Sequence, residues 1–260
     1  METVEELYER SDYEFEQKLF SACRSGDLEF IEEFVNSNIK KDYMFASTIW
    51  HMLEHGCKNK QSNIVKYIIE TKCLIDLINT EKAFERCFQD ACTSGGLEIV
   101  KYLWDSNIEE LTVFAIGSGC REAIQYKHQD IIKLILNHPK SKDFLKYELS
   151  FPELLQAASE FNNVEALKYI ASFPNLMKDG KSYLYDHADK IIYFAIHHEN
   201  IEVVRFLVCD MDFDKTKDIK QILKQRNNKE INNIFKLKKL NKDLTEELIS
   251  EASVIKRMKL

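Results

Sequence analysis

Two histidines one helical turn apart, His51 and His55, with Cys57 two residues further on, are the nearest approach to a metal site in the sequence. Zinc takes three or four such ligands, held in place by a second shell of hydrogen bonds, and no second cluster at ligand spacing follows. The pair therefore reads as exposed histidines on a helix. His197 and His198 fall just before a turn and read the same way. Gly117-Ser118-Gly119 follows the apolar run 113–116, as a phosphate-cradling loop follows a strand. It lacks a third glycine and any Gly-Lys-Ser/Thr, so a connecting loop is expected there. Cys120 beside Arg121 invites the idea of an activated thiol, because a neighbouring cation favours the thiolate. With no partner histidine and seven scattered cysteines, a buried structural thiol is the expectation. Carboxylates abound and no pair stands apart as a dyad. Chemistry-bearing residues are present without being assembled, which points away from an enzyme and implies no cofactor and no metal.

The elements that carry these residues are helical. Only three prolines and seven glycines occur in 260 residues, too few for the turns of an all-β sandwich. A net charge of −7 argues against nucleic acid as the main partner, since phosphate binding favours a basic surface. No apolar run approaches the ~20 residues that a membrane-spanning helix needs. The acidic start METVEELYERSDYEFE has no apolar stretch of the secretory kind, and the cysteine count is odd without a CxxC. Together these predict a cytoplasmic chain with reduced thiols.

Self-comparison is more informative. ACRSGDLEFIEEF at 22–34, ACTSGGLEIVKYL at 91–103, ASEFNNVEALKYI at 158–170 and AIHHENIEVVRFL at 195–207 share one pattern. Weaker copies begin at 56, 123 and 223, so successive steps are 34, 35, 32, 35, 37 and 28 residues. A small residue opens most blocks, where helices approach closely. Gly or Asn follows at Gly26, Gly95, Gly96, Asn162, Asn163, Asn200, Asn227 and Asn228, residues that tolerate the left-handed backbone ending a helix. Then comes an acid suited to the first turn of a helix (Glu29, Glu98, Asp130, Glu165, Glu202, Glu230), and a second helix with an apolar face such as Ile99, Val100, Leu103 and Trp104. Upstream, Phe84, Cys87, Phe88 and Ala91 make the apolar face of a first helix. Neither short helix can bury its face alone, and stacking of pairs supplies the partner. The predicted fold is all-α: an αα-solenoid of about seven helix–turn–helix repeats with polar caps.

The pattern A-x-x-x-G-x-L-E-I-V-K-Y-L at a period near ~33 residues resembles the ankyrin repeat, over roughly residues 15–236. The likeness lies in the second helix. The family's Thr-Pro-Leu-His opening is missing, QKLF, RCFQ and KIIY standing at 17–20, 86–89 and 190–193, and no Gly-Ala-Asp-like hairpin signature follows the second helix. This divergent style is similar to repeats of large viruses, protists and intracellular bacteria. The resemblance implies a protein-interaction module that binds on its concave face, an adaptor or a pathogen effector, monomeric as such arrays commonly are. Glu246, Glu247 and Glu251 are also similar to the glutamate-rich signal of some type IV effectors, which would place the chain in a host cytosol.

The domain reading is a polar cap helix at 1–14, the array at 15–236 and a helical tail at 237–260. Trp50, His51 and His198, at first-helix ends, are the candidate partner-binding residues. Lysines crowd 215–242, read mainly as a solvated cap. Lys220, Lys224, Lys236, Lys238 and Lys239 are the candidates if that region meets an anionic partner. The competing function is an enzyme or ligand-binding site within the irregular connectors 137–152 and 172–189.

Overall fold

The computed structural model describes residues 4–37, 46–78, 80–106, 111–139, 141, 150–172, 177–178, 181–182, 187–213 and 216–258. Among the described residues the secondary structure is helical but for two paired two-residue strands, β1 (Met177–Lys178) and β2 (Lys181–Ser182), which run antiparallel. It divides into two compact units, Met1–Ser150 and Phe151–Leu260.

Among the described residues of the first unit, a short α1 (Val4–Arg10) precedes four helix pairs. These are α2 (Asp12–Ser25) with α3 (Leu28–Asn36), α4 (Ala46–Lys58) with α5 (Ser62–Glu70), α7 (Thr80–Ser94) with α8 (Leu97–Asp105), and α9 (Val113–Gln125) with α10 (Gln129–Asn137). A single turn, α6 (Lys72–Ile75), follows α5. First helices pack on first helices in the order α2, α4, α7, α9, and second helices on second helices in the order α3, α5, α8, α10. Each pair thus lends its neighbour the apolar surface it lacks. Phe15, Leu19, Phe34, Ile49, Met52, Leu53, Ile64, Ile68, Phe88 and Ile99 are wholly buried, each contributing about 1.5–3 kcal/mol. The acidic α1 closes the near end: Val4 and Leu7 are buried, Glu5, Glu6 and Glu9 are exposed, and the Val4 N–H donates to Glu33 at 3.1 Å. The cap helix stops at Arg10, and residues 12–14 already belong to α2.

The second unit contains α11 (Ser150–Glu160) with α12 (Val164–Ala171), α13 (Ala188–His197) with α14 (Ile201–Arg205), and α15 (Lys217–Arg226) with α16 (Lys229–Met258). A π-helical turn, Phe206–Asp210, extends α14 and packs on α16. First helices again follow one another: the Ser159 hydroxyl of α11 donates to the Ile191 carbonyl of α13 at 2.7 Å, and α13 packs on α15. α16 runs unbroken through 236–237, so last pair and tail are one helix.

The turn inside each pair is where the blocks coincide. Four residues after every block start stands a residue with positive φ: Gly26 (79°), Lys60 (62°), Gly95 (82°), Lys127 (63°), Asn162 (51°), Glu199 (56°) and Asn227 (48°). The next N–H donates five residues back to the block's opening carbonyl, Asp27 to Ala22 at 3.0 Å, Gln61 to Gly56, Gly96 to Ala91, Asn163 to Ala158 and Asn200 to Ala195 at 2.8 Å, and His128 to Ala123 at 2.9 Å. This six-to-one bond around a left-handed residue satisfies the carbonyls left over at a helix end.

The structure corrects the reading of this column. Of the eight Gly and Asn residues expected to be left-handed, only Gly26, Gly95, Asn162 and Asn227 are. Gly96, Asn163 and Asn200 come one residue later with φ of −80°, −106° and −82°, and start the second helix. Lys60, Lys127 and Glu199 take the strained position instead. A second correction concerns Gly117-Ser118-Gly119, expected as a loop, which lies inside α9. A Cβ on Gly119 would stand 2.5 Å from Phe88 Cε1, so this glycine permits close packing of α9 on α7.

Candidate functional site

The polar residue that starts each second helix has one side chain and two uses. Asp27 and Asn163 accept from Phe30 N–H and Ala166 N–H, capping their own helices. Gln61, His128 and Asn200 make no such cap and reach back to the preceding pair. Gln61 Nε2 donates to the Arg24 carbonyl at 3.0 Å, His128 Nε2 to Thr93 O at 3.0 Å, and Asn200 Nδ2 to Ser159 O at 2.6 Å. Where the position is Gly96, Ser94 does the work, its hydroxyl donating to Cys57 O at 2.9 Å. These bonds fix one pair against the next and hold the outer face of the first helices in register.

In the first unit that face runs across α2, α4, α7 and α9. Phe20 of α2 meets the rings of His51 and His55 at 5.6 and 5.2 Å. Burial first, then the charge of Arg24, holds His55 below its ordinary pKa. Glu54 pairs with Lys58, and that hydrogen bond lowers the Glu54 carboxyl. On α7, Arg86 Nε lies 3.3 Å from Asp90 Oδ2. Asp90 is almost wholly buried, and its burial raises the carboxyl pKa against the pull of Arg86 and Lys58. The same oxygen makes no well-directed hydrogen bond, so the contact with Arg86 is charge attraction. At the start of α9 the side chain of Thr112 donates to Glu85 and accepts from the Ala115 N–H.

Apolar side chains mark both ends of this face. Tyr13 and Phe114 each stand nine residues before their block's opening alanine, and they are 69% and 79% exposed. The same register holds Ser47 on α4 and Lys82 on α7, both exposed. With packed helices about 8–10 Å apart, three steps place the two aromatics roughly 24–30 Å apart. A side chain that exposed keeps most of its apolar surface in water, whereas against a partner it would bury a large apolar area.

Of the expected partner-binding residues, Trp50 and His51 lie on α4, Trp50 half-buried and His51 exposed beside Phe20. His198 lies in the second unit at the end of α13, exposed and edge-on to His197 at 5.1 Å. There Tyr193 stacks on His197, and Arg226 Nη2 stands 2.7 Å from His197 Nδ1. Desolvation and this guanidinium hold His197 below its usual pKa. Sequence reading passed over Phe20, Tyr13 and Phe114. Phe114 was hidden inside the supposed loop approach, and aligning the first helices as well as the second would have paired it with Tyr13.

Cys57 is buried in the core, its thiol pKa raised by burial and then by a hydrogen bond with the free thiol of Cys87. Burial likewise pushes Cys120 up to about 12, which makes it an inert thiol. Among the described residues no group of three or more His, Cys, Asp or Glu is arranged to hold a metal ion. No described helix is long and apolar enough to cross a membrane. The connectors 137–152 and 172–189 lie largely outside the described residues.

The lysine region is less uniformly cationic than its composition. Lys238 is only 13% exposed and donates to Phe213 O at 2.7 Å while pairing with Asp212 at 3.0 Å, so it fastens α16 to the turn after α14. Lys220, Lys224, Lys236 and Lys239 are exposed. A groove of about 580 Å³ takes in Lys220, Lys238, Lys239 and Lys242, but also Asp243 and Glu246, so both charge signs line it. Compared with family models, curated proteins and solved structures, the chain matches none.

Proposed function

We propose that the chain is a divergent ankyrin-like array of helix pairs that binds a partner protein, without catalysis, on the first-helix face of residues 1–150. The observation that carries this is Phe114, largely exposed on a helix whose other side is locked into the core, with Tyr13 at the equivalent place on α2. Rigid, exposed aromatics are the residue type that dominates binding energy once a partner excludes water. Trp50, His51, Phe20 and Arg86 lie between them and would supply the rest of a mixed apolar and charged footprint. An adaptor role, including that of an effector in a host cytosol, is the form this reading takes; the glutamates near residue 250 support the latter through composition alone.

A photo-crosslinking residue at position 114 of the full chain tests it, with the same probe at Lys101, exposed on the second-helix side, as reference. A partner captured from 114 and not from 101 is expected. Phe114→Ala combined with Tyr13→Ala should weaken its binding roughly tenfold or more. Equal capture from both places, or binding unchanged by the double variant, overturns the proposal.

A further inference from the structure

α16 is 30 residues long, about 45 Å, and its two halves differ. Ile231, Ile234 and Phe235 are buried and Lys238 is nearly so, which defines the side of the helix that meets the fold. Every residue from 239 to 249 is exposed. Through this exposed part runs a second apolar stripe: Leu237, Leu240, Leu244 and Leu248, between 47% and 65% exposed. At 100° per residue this stripe lies about 120° around the helix from the buried side, so it is no continuation of the core face. A single surface leucine needs no explanation; four in line on one helix form a seam.

The charges beside the seam indicate what it meets. Residues 229–242 carry five lysines against Glu230, whereas Asp243, Glu246 and Glu247 follow without an opposing base up to residue 249. A segment basic over 229–242 and acidic over 243–249 is complementary to itself only when reversed. We infer that two copies of the chain pair through α16, antiparallel, about a two-fold axis near residues 242–243. In that register Leu237 of one copy lies over Leu248 of the second, and Leu240 over Leu244. Lys236 meets Glu247 of the second copy on the flank of the seam, and the two-fold repeats the contact. A parallel pair would set lysine against lysine and glutamate against glutamate. The acidic segment 243–249 also disfavours an anionic lipid surface, which would attract only the basic segment before it. The monomer expected from the sequence is thereby replaced by a symmetric dimer, independently of what the first-helix face binds.

Sedimentation equilibrium of the full chain over a range of concentrations tests this. The expected result is a mass rising from the 30.6 kDa of the chain towards twice that value. Leu244→Glu should abolish the rise while leaving the helical circular dichroism in place. Glu247→Lys alone, which sets two lysines together at both symmetric contacts, should raise the dimer dissociation constant roughly tenfold. Lys236→Glu combined with Glu247→Lys should restore it, because the contact is only exchanged. A chain monomeric at all concentrations overturns the inference. So does a dimer indifferent to Leu244→Glu, a double variant no better than the single one, or a monomer whose seam instead binds vesicles of mixed neutral and anionic phospholipid.

Discussion

The turn from α4 to α5 and the turn from α7 to α8 have the same shape and different chemistry. Both hold a left-handed residue, Lys60 at 62° and Gly95 at 82°, and both close the same five-residue bond at 2.8 Å. Glycine adopts this backbone without a steric cost, whereas lysine gives up about 1 kcal/mol to do so. The α4–α5 turn nevertheless forms, because the helices on either side bury Ile49, Leu53, Ile64 and Ile68, and because Gln61 ties it to the Arg24 carbonyl. The geometry therefore belongs to the stack, and the residue at its centre only decides how easily the stack obtains it.

The largest effect should come from removing the easy case. Gly95 has positive φ, and a Cβ there would stand 2.6 Å from the His128 ring, which bonds to Thr93. Gly95→Ala should lose about 2–3 kcal/mol, combining the left-handed penalty with displacement of that ring. The corresponding Lys60→Ala exchanges one Cβ for another and should change little. Urea unfolding of the two variants side by side measures the contrast. Equal losses would show that the two turns are not held alike.

The converse change should give a smaller gain. Lys60→Gly relieves the left-handed lysine while adding freedom to the unfolded chain, so a net stabilisation of about 0.5–1 kcal/mol is expected. A destabilised variant would mean that the lysine side chain makes a contact outweighing its backbone strain.

This contrast also explains how far the sequence could be read. Second helices were legible because their apolar faces and first-turn acids repeat in kind: Glu29, Glu98, Asp130, Glu165, Glu202 and Glu230 all fall in a first turn. The turns were legible only where glycine or asparagine advertised them. Lys60, Lys127 and Glu199 gave no sign, since tertiary packing imposes their conformation against local preference. Position 56 hid in the same way: Gly56 fills the small-residue column because a Cβ there would press on Val65 at 3.0 Å. Trp50 and His51, expected at the end of a first helix, lie within one, because α4 runs on to Lys58. Phe114 was missed, because an exposed aromatic inside an apolar run looks like core until the helix register is known. The seam on α16 was not legible, because leucines at 237, 240, 244 and 248 look like core until the side of the helix that meets the fold is known.

The smallest effect concerns two residues that occupy one column, each immediately before its block's opening residue: His55 on α4 and Asp90 on α7. Burial disfavours the charged form of both, so it lowers the histidine and raises the aspartate. Their contributions to stability then run in opposite directions with pH. The unfolded chain protonates His55 near its ordinary value of 6.5, while the folded chain resists until lower pH. Its contribution is therefore complete above 6.5 and is lost as the pH falls through the depressed folded value. Asp90 takes up its proton in the folded chain above the ordinary 3.8, so its contribution is complete below 3.8 and is lost as the pH rises through the raised folded value. Unfolding free energy followed downward from pH 7.5 should first decline, as His55 resists its proton. Asp90 then adds a gain at more acid pH. His55→Gln should remove the decline and keep the gain, and Asp90→Asn should do the reverse. If either substitution altered both limbs together, the two sites would be coupled through Glu54, Lys58 and Arg86, and the first-helix face would titrate as one network.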